Sequence, residues 1–392
     1  MTNKRIWLLA DDFPSDGRPN FVFVEQLVMA LVDMGIQVSV IAEQSITHNI
    51  VRKTNFLPRY IQGKTNKGNK FDIYRPYSIS LGNHFRLLSC FFSFIKRYQV
   101  SRIFKTSFKK GDILYGHFWH SAFFLLPFAI KYKAPLFVAC GEGDDAMEML
   151  VHGLTNQQLS LLKNNVTGVI SVSSENKRKS IVLGLTEEDK IIVLPNCVDE
   201  AVVYPKENVE LKKKLGIQHD DFVISYTGAF ITRKGSKVLS EAIKSLKDSK
   251  IKALFIGSAL PGDDCTPDCD GIAFIGRINH AEIADYLACA NIFVLPTLNE
   301  GCSNAIVEAL ACGVPVISSN KPFNHDILNC NNSILVNPES VEEVAAAIKR
   351  LIIDKDCYMK LRSYTMAHSS QYSIAERARK ISEFINKQTD KS

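Results

Sequence analysis

Two carboxylates, Glu300 and Glu308, bracket the segment Gly301-Cys302-Ser303-Asn304-Ala305 near the end of an apolar run. Ser and Asn are helix-capping types, so a helix is expected to begin near Ser303 or Asn304. Its first N–H groups, which have no intrahelical partners, would then point back toward Glu300. The helix dipole adds roughly half a positive charge at that end, which suits a phosphate. Gly301 permits a tight turn and a close ligand approach. Glu308 lies about one turn inside the helix, and side chains lean toward the N-terminus, so its carboxylate is placed near the same ligand. Carboxylates are poor partners for phosphate and good acceptors for sugar hydroxyls, so the arrangement reads as a site for a phosphorylated sugar. The ordinary alternative is two surface glutamates flanking a helix, and spacing alone favours that alternative.

The elements that must position these residues follow from the apolar pattern. Residues 297–319 run as a strand end, a turn, a helix with a small-residue face, a Gly313-Val314-Pro315 stop and a second strand. Upstream, a strand at 5–10, a helix to about residue 34 and a strand at 38–42 make a βαβ opening, whose ligand crevice lies at the carboxyl ends of the strands. That places the 13–20 loop, with Gly17, at a ligand edge. A strand at 112–116 ends at His117, with His120 in the same turn; a histidine there is more often structural than catalytic. Strands at 136–140, 166–173 and 190–194 follow, the first leading into Glu142, Asp144 and Asp145. A second series comprises strands at 222–227, 251–257, 272–275, 292–296 and 333–336, with helices at 280–289, 341–353 and 375–387. Gly228 follows the first of these strands, and Arg233-Lys234-Gly235 precedes an amphipathic helix. Adjacent cations at such a place are usually solvated surface.

A chain of 392 residues exceeds what one hydrophobic core usually serves, so two domains are expected. Composition is that of an ordinary globular protein, and the longest apolar runs fall short of a bilayer span. Acids at Asp11 and Asp12 interrupt what a signal peptide would keep apolar, and the cysteines are scattered, so a cytoplasmic chain with reduced thiols is expected. Charge is uneven: residues 44–111 hold fourteen Arg and Lys against the single acid Asp72, in a chain whose net charge is +6. Within this region Phe85, Leu88, Phe92 and Ile95 recur at helical spacing among Arg86, Lys96, Arg97 and Arg102. A helix on its own core and a basic amphipathic segment on an anionic membrane both fit that pattern.

The string from Glu300 through Glu308 to Ala309-Leu310-Ala311-Cys312-Gly313-Val314-Pro315-Val316 closely resembles the signature of family 4 of the retaining glycosyltransferases. The resemblance covers most of the chain, is strongest over 226–338 and is weak over 46–110. It implies the GT-B fold: two Rossmann-like α/β/α domains facing across a cleft, 1–200 and 201–371, with a C-terminal helix at 372–388 returning to the first. It also implies roles. Arg233 and Lys234, with the helix start at Ser303, Asn304 and Ala305, would bind the diphosphate of a UDP- or GDP-sugar. Glu308 would take the ribose, Glu300 the transferred sugar, and Arg277 and Ile278 the base. Gly17, Gly228, Gly301 and Cys302 would line the donor, and His117 would reach the transferred sugar. Glu142 and Asp144 depart from the family pattern on the acceptor side. Pro195-Asn196-Cys197-Val198-Asp199 resembles the stretch closing the first domain, with cysteine in place of glycine.

The resulting expectation is a metal-independent, cofactor-free hexosyltransferase that retains anomeric configuration and acts on a glycan or lipid-linked acceptor. It would sit peripherally on the inner face of the cell membrane, with Arg86, Lys96, Arg97 and Arg102 against anionic lipid. A GT-B sugar-nucleotide epimerase, a glycogen-type phosphorylase and an inactive nucleotide-sugar-binding protein share the architecture. A nucleic-acid partner, suggested only by the basic region, is not expected. Asp268-Cys-Asp270 and Asp354-Lys-Asp356 follow no apolar strand, so neither is expected to hold a metal.

Overall fold

The near-continuous apolar strand segments demand burial on both faces, which a parallel sheet between helices supplies. The computed structural model describes residues 4–15, 21–51, 53–79, 86–142 and 144–391, with the side chains at 86–93 and 144–145 excepted. The chain forms two compact units. One comprises Met1–Val172, Asn176–Leu194 and Ala378–Ser392; the other comprises Ser173–Glu175 and Pro195–Arg377.

In the first unit the strands are β1 (Arg5–Ala10), β2 (Gln37–Ala42), β3 (Tyr60–Lys64), β4 (Lys70–Tyr74), β5 (Ile113–His117), β6 (Leu136–Cys140), β7 (Val166–Ser171) and β8 (Ile191–Val193). They order as β8-β7-β6-β5-β1-β2-β4-β3, parallel except for the edge strand β3. Strand order reverses between β1 and β5, where Ala10 pairs with His117. The helices α1 (Val22–Asp33), α2 (Arg86–Ser107) and α3 (Trp119–Tyr132) follow β1, β4 and β5. Trp7, Phe104, Trp119 and Leu125 are fully buried, and the Trp7 indole N–H donates to Asp112 Oδ2 at 2.9 Å.

The β3–β4 hairpin was not anticipated, because its lysines masked a two-residue alternation. Phe71 and Ile73 point into the core. Asp72, the region's single acid, faces out to accept from the Tyr60 hydroxyl at 2.9 Å and to pair with Arg5 at 3.6 Å.

The second unit has β9 (Phe222–Thr227), β10 (Ile251–Ile256), β11 (Ile272–Gly276), β12 (Ile292–Leu295), β13 (Val316–Ser319) and β14 (Ser333–Val336). The order is β11-β10-β9-β12-β13-β14 and every neighbouring pair is parallel. This is the doubly wound order, with its switch point between β9 and β12. Helices α4 (Ser236–Leu246), α5 (Asn304–Ala311) and α6 (Val341–Ile353) pack on it. The segment expected as one helix over 280–289 is a 3-10 turn at His280–Glu282 followed by an α-helix at Ile283–Cys289. Asn279 and Glu282 close a capping box there and fix the turn.

The last helix, α7 (Ile374–Thr389), starts in the second unit, where the Ile374 N–H donates to Val198 O at 2.8 Å. From Ala378 it belongs to the first unit. There Phe384 lies edge-on to Phe137, with ring centroids 6.2 Å apart, and Gln388 donates to Asp189 O at 2.9 Å.

Candidate functional site

In the second unit, the loops leaving β9 and β12 flank the switch point, and between them they carry the charged residues singled out in the sequence. After β9 the chain turns at Gly228, then enters a 3-10 turn at Thr232–Lys234. Gly235 follows at φ 70°. A Cβ there would stand 2.1 Å from Pro296 O, so both the conformation and the close approach require glycine. The two loops are joined by backbone, since the Leu298 N–H donates to Arg233 O at 2.8 Å. Arg233 Nη1 donates to Asn299 O at 2.6 Å and lies 3.6 Å from Glu300 Oε1. Lys234 Nζ donates to the same oxygen, and the Thr297 hydroxyl donates to it at 3.0 Å. Lys234 and Glu300 are 18% and 11% exposed, so this ion pair is held largely out of water. Removing one partner of such a pair typically costs on the order of 3 kcal/mol, because the other charge is left buried.

A residue that the sequence reading missed holds this loop from the far side. Asp263 accepts from the Thr232 N–H at 3.0 Å and from its hydroxyl at 2.8 Å, and these bonds hold its carboxyl below the usual range. Cys265 N–H donates to Phe230 O at 2.9 Å, and the Ser236 hydroxyl to Cys265 O at 2.7 Å. Its only sequence signal was a polar Pro/Cys/Asp loop following a strand.

Helix α5 begins at Asn304 with Ser303 as N-cap, but the Ser303 side chain makes no capping bond. The first-turn N–H groups are therefore not capped by Ser303, which keeps the dipole end suited to an anion. Asn196 braces this turn: its side-chain amide donates to Cys302 O at 3.1 Å and to Asn304 Oδ1 at 2.8 Å. Burial pushes the Cys302 thiol up to about 12, so it stays neutral. Glu308 is buried on α5 and engages His280 Nε2 through Oε1 at 2.9 Å. That hydrogen bond raises the His280 pKa above its ordinary value against the opposing effect of burial. Arg277, exposed, and Ile278, half-buried, follow β11 on the loop that leads to His280. Gly301 and Ala305 are half-buried beside the helix start.

In the first unit, the corresponding edge beside β1 and β5 carries His117, buried with its ring 5.4 Å from Phe23 and 4.1 Å from Phe118. His120, the second histidine of that turn, pairs with Asp11 at 2.7 Å. The bond to Asp11 raises the His120 pKa. Burial pushes Asp11 up, but His120, Lys96 and His117 outweigh it and hold the carboxyl below its usual value. Glu142 is buried after β6 and accepts from the Trp119 N–H at 2.6 Å and the Gly141 N–H at 3.0 Å; burial pushes it up to about 7. Asp144 lies at the start of a helix over Asp144–His152. Gly17 lies outside the described residues.

The basic helix α2 corrects part of the sequence reading. Lys96 pairs with Glu43 at 2.5 Å and lies 4.5 Å from the Phe124 ring, and Arg97 lies 5.6 Å from that ring, so these two turn inward. Arg86 lies in α2, outside the described side chains. Phe94, Tyr98, Arg102 and Lys105 are exposed at helical spacing along one face, the two aromatics by 66% and 58%. Exposed Ile50, Val51 and Phe56 lie on the preceding segment. That segment is tied to α2 by Arg59, which donates to Gln99 at 3.1 Å. Both aspartate pairs have structural partners: Asp268 binds Lys244 at 2.9 Å, and Asp354 accepts from the Cys357 N–H at 2.9 Å. Among the described residues no group of three or more His, Cys, Asp or Glu could hold a metal ion, and no helix is long and apolar enough to cross a membrane.

Residues 221–354 match the family model of glycosyl transferases group 1. The chain is 36% identical over 141 residues to TuaC of Bacillus subtilis (strain 168), whose name assigns it to teichuronic acid biosynthesis as a glycosyltransferase; the match covers 36% of each chain. It is 30% identical over 202 residues to the capsular polysaccharide biosynthesis glycosyltransferase CapM of Staphylococcus aureus, covering 48% of this chain and 53% of that one. The chain thus spans between a third and about half the length of these curated relatives. Among solved structures, sucrose-phosphate synthase from Thermosynechococcus elongatus superposes with a TM-score of 0.75 at 17% identity, over 99% of this chain and 100% of that one. Anabaena Alr3699/HepE in complex with UDP and glucose superposes with a TM-score of 0.68 at 15% identity, over 98% and 100%. The fold of the whole chain is accordingly GT-B, and its segment 221–354 matches the glycosyl transferases group 1 model.

Proposed function

We propose that this protein is a retaining glycosyltransferase that moves a hexose from a UDP- or GDP-sugar to a glycan or lipid-linked acceptor without a metal ion. The observation that carries the reading is the convergence of Lys234 and Arg233 on Glu300 beside the α5 N-terminus. An arriving diphosphate competes for both cations and frees the Glu300 carboxylate to accept hydroxyls of the transferred sugar. As the glycosidic bond to the diphosphate breaks, charge grows on the departing phosphate. Lys234 and Arg233, once drawn from Glu300, act with the first-turn N–H groups to stabilise that charge. Their positive charge does the work a divalent ion does elsewhere. Glu308 takes the ribose hydroxyls. Among the described residues no carboxylate stands out as a nucleophile, which favours same-face displacement over a covalent intermediate. The epimerase and inactive-binder readings draw no specific support from these contacts.

The acceptor is assigned to the first unit, where the exposed Phe94, Tyr98, Arg102 and Lys105 stripe offers aromatics and cations together to an anionic lipid surface. The names of TuaC and CapM, of teichuronic acid and capsular polysaccharide biosynthesis, support a glycan as acceptor.

The test is a thermal-shift screen against nucleotide sugars, followed by transfer with EDTA present and NMR of the product anomer. Stabilisation by a UDP- or GDP-sugar, EDTA-resistant transfer and a retained anomer are expected. Activity lost in EDTA and restored by manganese would overturn the metal-free mechanism, and an inverted anomer the retaining one. Co-sedimentation with anionic vesicles, lost in the Phe94→Ser/Arg102→Gln double variant and kept in Lys96→Gln, tests the lipid surface; binding unaffected by the double variant would remove it.

A further inference from the structure

The contact between His280 and Glu308 has no place in the chemistry above, and its geometry sets it against the ligand assigned to Glu308. Glu308 is fixed on α5 and only 11% of its side chain reaches solvent, so the accessible edge of its carboxylate is narrow. His280 Nε2 stands 2.9 Å from Oε1 of that carboxylate. The imidazole itself is 47% exposed. It belongs to a three-residue turn, His280–Glu282, which is anchored through Asn279 and Glu282 and not through the histidine ring. Of the two partners, the histidine is therefore the one free to swing away. A vicinal pair of ribose hydroxyls binds a carboxylate best through both oxygens, and one of these is engaged by His280.

We propose that His280 is a proton-dependent latch on the ribose site: the imidazolium and the ribose diol of a nucleotide sugar compete for Glu308. This rests on the assignment of Glu308 to the ribose. The acidic groups acting on His280 are Glu308 and, at longer range, Asp199; Glu282 on its own turn is spent on the Asn279 N–H at 3.0 Å. Breaking the pair returns the imidazole toward its ordinary pKa, below the raised value it has against Glu308. Donor binding therefore expels a proton when it starts from the protonated enzyme. By linkage, affinity is weak at low pH, tightens as pH rises through the His280 titration, and levels off above it. His280 is thereby a specificity element as well: it opposes any ligand that cannot offer the carboxylate two hydroxyls in exchange.

The experiment is calorimetric titration of the full chain with UDP-glucose, and separately GDP-mannose, between pH 5.5 and 8.5. The diphosphate diester of either probe does not itself change charge in that range. Running each pH in two buffers of different ionisation enthalpy counts the protons released. The wild type is expected to bind more tightly at pH 8 than at pH 5.5, by about tenfold or 1.4 kcal/mol, with proton release near the midpoint. His280→Asn should bind at pH 5.5 as tightly as the wild type does at pH 8, with no proton release; His280→Gln is the second variant should the first not fold. Flat wild-type affinity, or variants that bind more weakly at every pH, would overturn the latch. Glu308→Ala separates the two levels. If it binds either probe as well as the wild type, or if neither probe binds the wild type, the ribose assignment falls and the latch with it. If it binds weakly while wild-type affinity is flat in pH, the assignment stands and the latch alone is lost.

Discussion

Strand β1 in the first unit and β9 in the second occupy the same place, beside the reversal of strand order in a parallel sheet, yet the edges they lead to are built differently. The edge at β9 gathers two cations, a carboxylate and a helix start whose cap makes no side-chain bond, joined by backbone hydrogen bonds. Geometry fixes where its groups point. The edge at β1 gathers Asp11, His120 and Glu142, groups whose protonation is set by one another and by burial. One edge presents a standing field for an anion; the other presents hydrogen-bonding groups that change character with pH. A shared topology thus fixes where a site lies and leaves its chemistry to a few loop residues.

The comparison is broken most directly by removing one charge from each edge. Lys234→Ala and Glu308→Ala should leave the protein folded and reduce transfer by roughly 10²- to 10³-fold, as loss of a preorganised electrostatic group does. His120→Ala should cost only about tenfold and appear in the KM for the acceptor rather than in kcat. Steady-state kinetics with both substrates varied decides it, and a larger loss for His120→Ala would invert the assignment of roles.

Glu142 sharpens the contrast through stability. Its folded pKa, pushed up to about 7, lies above that of the unfolded chain, near 4.5. Folding stability from this group is therefore full below about pH 4.5 and is lost as pH rises toward 7, by on the order of 3 kcal/mol. Urea unfolding of the wild type should show that decline, and Glu142→Gln should flatten it. An equal decline in both would show that the buried carboxyl is not its source.

The smallest expected effect is at Asp263, which holds the cation loop without meeting ligand. Asp263→Ala should raise the donor KM about fivefold with kcat nearly unchanged, and a loss confined to kcat would contradict a purely positioning role.

The two edges also differ in how far their sequence announced them. The residues at the β9 edge are consecutive or a helical turn apart, so Arg233-Lys234-Gly235 and Glu300 to Glu308 could be found as strings. Asp263 and His280 act on those strings from about thirty residues away through side-chain bonds, and no local pattern marks that role. Asn196 stands in a recognisable string, Pro195-Asn196-Cys197-Val198-Asp199, but its bonds to the α5 start come only with the fold. The strands were legible because burial on both faces writes an unbroken apolar run. The β3–β4 hairpin was not, since its outward lysines hid Phe71 and Ile73. Lys96 looked like surface until the fold set Glu43 and Phe124 beside it. Charge counting gives the sum of a region, while direction comes only with packing.

The route of α7 has a consequence for how the chain is made. The first unit needs residues from Ala378 onward, which place Phe384 against Phe137 and close to Gly168. A ribosome working at roughly 5–20 residues per second needs about 10 to 40 s to pass from Pro195 to that point. Throughout that interval the Phe137 face of the nascent first unit lacks its cover, while the second unit, read out in one nearly continuous stretch, closes as soon as its own last helix starts. The order of synthesis is therefore not the order of completion, and the unit translated first is the one completed last.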